Sequence, residues 1–363
     1  MLPRRVRHRF RFARLFYRST WVLWSLPARA FFSGGPLESV LGFYGPLSLL
    51  LLIFIWAVAI MFGFALIHFS LGSALAGSGE SGFLSDLYMS GTTFFTLGLG
   101  DVRPVTAAAR IVTVVEAGTG FGFLALVIAY LPALNQSFSR REAGISMLDA
   151  RAGSPPTAMR VFQKHAHENC KEELRELLSQ WERWSAELLE SHLSYPVLAY
   201  YRSQHDNQSW LAALTVILDT SAVIIAGIAG EWTRQAELTF AMARHAVVDL
   251  AVVFNRPPKN PGRDRLGDGG FMKLRSVIEA AGLELADPRE SERRLEFLRG
   301  LYEPYIEALR RHFYIEAPPW IPEAWQAADW EKSPWEQTSS AAVSVTEDEW
   351  RDHHFRKGEK RDK

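Results

Sequence analysis

The sequence predicts an all-α protein in two parts: a membrane module of two hydrophobic helices and a separate helical domain. Three observations predict this. Two long apolar runs lie before Leu134, most of the charge lies after Arg140, and the region beyond repeats apolar residues at three-and-four spacing with no Val, Ile or Thr alternation of strand type. A chain of 363 residues also exceeds what one core usually supports. Hydrophobic residues make up 48% and the formal charge is zero, an average over two unlike parts. The lone Cys170 excludes an internal disulfide framework and Cys-rich zinc patterns, so the soluble part needs no oxidising compartment.

Residues 1–43 form a basic and aromatic segment. Arg4, Arg5, Arg7, Arg9, Arg11, Arg14 and Arg18 precede the first acidic residue, Glu38, and are interleaved with Phe10, Phe12, Phe16, Tyr17, Trp21 and Trp24. A transit peptide or twin-arginine signal would show a compact apolar region with a small-residue cleavage site, and none follows closely. The pattern suits an interfacial helix on anionic lipid headgroups.

The membrane module is expected over 44–135. Leu47–Leu71 has His68 as its only ionisable side chain and, as a helix, extends about 37 Å, enough to cross a bilayer with tilt. Ala107–Leu134 is the second span, interrupted by Glu116 and by Gly118, Gly120 and Gly122. A carboxylate facing lipid at that depth costs roughly 2.5–3.5 kcal/mol, so Glu116 is expected to face protein or water. Basic residues flank the outer ends of this pair while 72–99 has none, which places both termini in the cytoplasm of a multi-pass plasma-membrane protein.

The connection carries the most specific signal. Phe83–Phe95 has a helix-compatible apolar pattern, and Thr96-Leu97-Gly98-Leu99-Gly100-Asp101 follows it, so 83–101 is expected to be a re-entrant helix and then an extended filter. Non-helical backbone survives at membrane depth only inside protein or along a water-filled pore. Glycine reaches φ > 0 at little cost, so Gly98 and Gly100 let successive carbonyls face one axis. A column of such oxygens replaces an ion's hydration shell, and closing the ring takes four copies, hence a homotetramer.

This segment resembles the pore of two-transmembrane, one-pore-loop potassium channels of prokaryotic type, whose common filter is Thr-Val-Gly-Tyr-Gly-Asp. The likeness runs through Pro104, Thr106 and Arg110 and covers about residues 44–134. It implies that Thr96, Leu97, Gly98, Leu99 and Gly100 bind the permeant potassium ion, that Asp101 shapes the outer mouth, and that Gly120 sits at the inner-helix hinge position. The departures are Leu97 for valine, Leu99 for tyrosine, Phe95 for a common threonine, and Met89 for a tryptophan that bonds the filter aspartate. A Gly-Leu-Gly filter resembles the second pore loop of two-pore-domain potassium channels. Weaker discrimination against sodium is the expected consequence. For Gly120, hinging stands beside helix packing; Gly118 and Gly122 are expected to be packing contacts. For Glu116, a proton-sensitive role stands beside a hydrogen bond to Thr92 or Thr93.

A helical domain is expected over 150–315 and a flexible tail over 316–363. Arg151–Thr157 signals a loop. Cys170, Leu174, Leu177, Trp181, Trp184 and Leu188 form one apolar stripe, facing either symmetry mates beneath the pore or the domain's own bundle. Trp210–Gly230 is long enough for a third crossing, but Asp219 at its centre favours a buried helix. Further helices are expected at about 231–254, 271–284 and 289–313. No Gly-x-Gly-x-x-Gly follows a strand, so no nucleotide sensor is expected. His165, His167 and Cys170 do not share a helix face, and His353-His354 lies in a charged tail, so no resident metal or cofactor is expected. Neither enzymatic activity nor a nucleic-acid partner is expected, and no span carries the arginine repeat of a voltage sensor. A weakly selective cation channel, and a membrane-anchored scaffold with a vestigial pore, stand as alternatives.

Overall fold

The computed structural model describes residues 12–322 apart from 74, 78–81, 166–169, 205–207, 229–232 and 284–285. Among the described residues it is all-α, with eleven α-helices and one antiparallel pair of two-residue strands. The basic helix α1 spans Phe12–Phe31, the first span lies in α2 (Gly34–Ser70), α3 is Phe83–Phe94, and α4 runs from Ala107 to Ala152. The helical domain contains α5 (Ala158–Lys164), α6 (Cys170–Ser194), a 3₁₀ turn (Pro196–Tyr200), α7 (Trp210–Gly227), α8 (Thr233–Val253), α9 (Gly270–Ala280), α10 (Pro288–Gly300) and α11 (Glu303–Phe313). Arginines 4, 5, 7, 9 and 11, His167, and the tail from 323 lie outside the described residues.

Three helices are long and apolar enough to cross a bilayer, and burial separates them. The most apolar stretches of α2 and α4 are each only 11% buried, whereas that of α7 is 94% buried. Phe54, Val114 and Phe121 are all well exposed, so the sides of α2 and α4 form large apolar surfaces that the rest of the chain leaves uncovered. Helix α7 is instead the core of the helical domain. Its central Asp219 is ion-paired to Arg265 and accepts a 2.5 Å hydrogen bond from Tyr302 Oη. A buried carboxylate is stable only when compensated in this way.

Several expected boundaries move. Helix α2 starts at Gly34, before the expected limit at 44, and passes through Pro46. The second span does not end at Leu134: α4 continues for 18 further residues, to Ala152. Buried Arg141 accounts for the extension, because its guanidinium donates to the carbonyls of Leu198 (2.8 Å) and Tyr201 (3.0 Å) and to Glu142 Oε1 (3.0 Å). The expected helix over 289–313 is two, α10 and α11, separated at Leu301-Tyr302 just before Pro304. Residues 316–322, expected to open a flexible tail, are instead packed against the domain. Trp320 is fully buried, with the guanidinium carbons of Arg299 and Arg265 5.5 and 5.8 Å from its ring centre.

The apolar stripe of α6 is consumed within the subunit. Leu174, Leu177, Trp181 and Leu188 are buried, Thr239 Oγ1 on α8 donates to the Leu178 carbonyl (2.9 Å), and Trp184 Nε1 donates to the Arg141 carbonyl on α4 (3.2 Å). Of the two readings of this stripe, the bundle reading fits. Helix α1 is held on one face only: Trp21 is buried and donates to the His312 carbonyl (2.8 Å), while Phe12, Leu15, Leu23 and Leu26 stay exposed.

Both spans meet the domain at the 3₁₀ turn. Leu49 of α2, Leu134 of α4, and Val197 and Leu198 form one buried cluster. A Cβ at Gly45 would lie 2.6 Å from the Tyr201 ring, so α2 passes that ring closely because residue 45 has no side chain.

Buried histidines give this domain a pH dependence. Burial, then the charge of Arg141, push His192 down to about 3. Burial, then Arg256 and Arg18, push His312 down to about 3. The native state excludes protons that the unfolded chain takes up near pH 6.5, so stability is present above that value and is lost as pH falls toward 3. The thermal midpoint of the full-length protein is expected to fall from pH 7 to pH 5, with a shallower fall in His192→Gln.

Candidate functional site

The segment expected to form the filter hangs from the C-terminus of α3. The Thr92 carbonyl accepts from Leu97 N (2.8 Å) and Gly98 N (3.3 Å), and the Thr93 carbonyl accepts from Thr96 N (3.0 Å). Helical carbonyls that would otherwise be orphaned therefore fix the start of the segment. Beyond them φ is positive at every second residue: Thr96 (58°), Gly98 (58°) and Gly100 (77°). Alternating the sign of φ turns successive peptide planes over, so that their carbonyls share one side. The two glycines adopt this freely, but Thr96 is β-branched, and such a conformation costs on the order of 1–3 kcal/mol.

The outer end is tied down at two points. Leu75–Ala76 pairs antiparallel with Arg103–Pro104, and between these strands Gly77 (φ 105°) lies so close to Asp101 that a Cβ there would meet the Asp101 carbonyl oxygen at 1.9 Å. Asp101 accepts from its neighbour Val102 N (3.0 Å) and from Tyr88 Oη (2.8 Å). With Met89 in place of tryptophan, the sequence suggested that Asp101 loses its usual partner; Tyr88, one position earlier, supplies it. Tyr88→Phe removes this bond at an exposed position, where solvent weakens it, and frees the Asp101 carboxylate from α3. Faster loss of cation flux under sustained ion load is expected, measured against wild type in the same vesicles.

The two gating candidates have different surroundings from those expected. Glu116 does not bond Thr92 or Thr93, since Thr92 Oγ1 donates to the Met89 carbonyl (3.0 Å). It is fully buried with an oxygen 3.3 Å from His68 Nε2 on α2, an ion-pair contact whose angles fall short of a hydrogen bond. Gly120 is buried where a Cβ would come within 2.0 Å of the Phe94 carbonyl oxygen, and α4 is continuous through it. It is a close-packing glycine of the α3–α4 contact. Gly118 and Gly122, expected to be the packing pair, have nothing within 4 Å in the subunit.

Sequence reasoning missed two residues. His68 stood out as the only ionisable side chain of its span, but nothing in the sequence pairs it with Glu116. Asp86 in the first turn of α3 is fully buried and accepts from Ser73 Oγ at 2.5 Å, which ties the pore helix to the end of α2. No group of three or more metal-ligating side chains occurs among the described residues.

Residues 48–136 match the family model described as "Ion channel" (Ion_trans_2), a region containing the α2–α3–α4 arrangement and the segment after α3. A protein of Bacillus subtilis (strain 168) named "Uncharacterized membrane protein YdjJ" is 28% identical over 201 residues, which is 53% of this chain and 57% of that protein. The alignment thus spans little more than half of that relative's length. No solved structure matches. The chain is therefore a helical protein with two long, exposed apolar helices, whose residues 48–136 are similar to an ion-channel family model.

Proposed function

We propose that four copies of this chain assemble around the 96–101 segment into a channel that passes potassium down its gradient. The observation that carries this reading is the alternation of positive φ at Thr96, Gly98 and Gly100 immediately after a helix whose C-terminus faces them. The helix dipole places about half a negative charge at that end, which favours a cation and opposes an anion at the inner entrance. Carbonyls of Thr96, Leu97, Gly98 and Leu99 replace the hydration shell, and Asp101 concentrates cations at the outer mouth. No bond is made or broken, so the protein acts as a conduit and not as an enzyme. The helical domain and both termini lie on the cytoplasmic side of the plasma membrane, and the exposed face of α1 rests on anionic headgroups.

A second reading is a weakly selective cation pore. Leu99 and Leu97 are each 63% exposed in the subunit, and Leu99 has no hydroxyl to bond behind the filter.

Gly98→Ala tests the conduction path. A Cβ at 98 meets nothing within 4 Å inside the subunit, so the chain still folds, but φ near 58° is unfavourable for alanine and the carbonyl column is disturbed. In proteoliposomes, cation flux is expected to vanish in Gly98→Ala and to persist in Gly118→Ala. Undiminished flux in Gly98→Ala would remove this segment from the conduction path.

A further inference from the structure

A cavity of about 270 Å³ lies where α1, the middles of α2 and α4, the 3₁₀ turn and α11 converge. Arg14 and Arg18 of α1, Arg256 just after α8, and His312 of α11 line one part of it. No carboxylate lines it among the described residues, so the guanidinium charges of Arg18 and Arg256 act on each other uncompensated, with His312 held neutral beside them. Arg256 Nε is buried without a hydrogen-bond partner, although an unpaired buried guanidinium N–H is costly. Burial and the neighbouring charge of Arg18 both lower the Arg256 pKa, as expected where two guanidinium groups lie close together.

Most of the rest of the lining is apolar or aromatic, and it includes Leu52 of α2 and Tyr130 of α4, two of the helices apolar enough to cross a membrane. A ligand that fits must carry a compact anion at one end and a hydrocarbon chain at the other. Arginine forks bind phosphate oxygens in pairs, which suits a phosphodiester better than a lone carboxylate.

We propose that this cavity is a specific site for the phosphodiester headgroup of an anionic membrane lipid, held by Arg18 and Arg256 with Arg14 beside them, its acyl chain leaving along Leu52 and Tyr130. This goes beyond a general attraction of α1 to a charged surface, because Arg256 lies more than two hundred residues away, on the helical domain. It also does not depend on whether the pore conducts. A lipid held here bridges α1, both spans and the domain, and therefore stabilises their junction.

The test uses the purified full-length protein in neutral detergent, with thermal unfolding followed during titration with short-chain phosphatidylglycerol, matched short-chain phosphatidylcholine, or inorganic phosphate. The expected result is a saturable rise in midpoint with phosphatidylglycerol alone. The apparent affinity is expected to weaken about tenfold or more in Arg18→Gln and in Arg256→Gln, and to stay within about twofold of wild type in Arg29→Gln, a control on α1 whose guanidinium stacks on Tyr314. Removing one of several mutually repelling charges leaves the unliganded midpoint of either variant at or above wild type, so loss of folding does not mimic loss of binding. Equal responses to the two lipids, or unchanged affinity in both cavity variants, would overturn the proposal. A response to inorganic phosphate as strong as that to phosphatidylglycerol would assign the site to free phosphate and overturn the lipid.

Discussion

Gly120→Ala is expected to abolish cation flux and lower the yield of folded protein, while Gly118→Ala and Gly122→Ala stay near wild type. The added Cβ would lie 2.0 Å from the Phe94 carbonyl oxygen and 2.8 Å from its carbonyl carbon, both backbone atoms. No rotamer change relieves such a clash, so α3 or α4 must move. Overpacking a well-packed contact costs about 1–3 kcal/mol, and a backbone obstacle places this case at the upper end. The displacement has a functional consequence because Thr92 and Thr93, just before Phe94, hold Thr96, Leu97 and Gly98 through their carbonyls. Thermal unfolding and flux of the three alanine variants, measured side by side, check it. A hinge at Gly120 would instead leave the folded yield unchanged and alter only gating.

The second large effect concerns His68 and Glu116. His68→Leu takes from the fully buried Glu116 carboxyl the imidazole that lies 3.3 Å from it, and is expected to lower the thermal midpoint. Replacing both partners by leucine removes the unpaired group as well, and is expected to restore most of the stability. The double variant should therefore unfold at a higher temperature than either single variant, a non-additivity that the cycle reads directly. Two independent single effects that simply add would show that the 3.3 Å contact contributes nothing.

What the sequence disclosed follows from the range of its interactions. The apolar runs of α2 and α4 and the Thr-Leu-Gly-Leu-Gly-Asp segment are local signals, and the helices and the turn after α3 lie where those signals put them. The partners do not, because they are set by the fold. Glu116 meets His68 across two helices, and Arg141 meets the Leu198 and Tyr201 carbonyls, 57 and 60 residues away. The continuation of α4 past Leu134 was hidden for the same reason: Arg140 and Arg141 mark a membrane exit in the sequence, but a buried acceptor pair lets the helix carry them onward. For Gly120 the sequence left a hinge and helix packing both open; its close approach to Phe94 is set by the fold, since no helical period connects the two residues. Trp320 was placed in a tail because proline and charge surround it, yet Arg265 and Arg299 enclose its ring.

Conduction of potassium through the segment after α3 is the central proposed property of this protein. Reconstituting the full-length protein in liposomes and comparing potassium with sodium influx, each driven by an inward gradient of the same cation, tests it most directly. The expected result is flux of both ions with potassium faster, and a ratio below that of a Thr-Val-Gly-Tyr-Gly pore because Leu99 offers no hydroxyl. Absence of any cation flux from folded, membrane-inserted protein would contradict it.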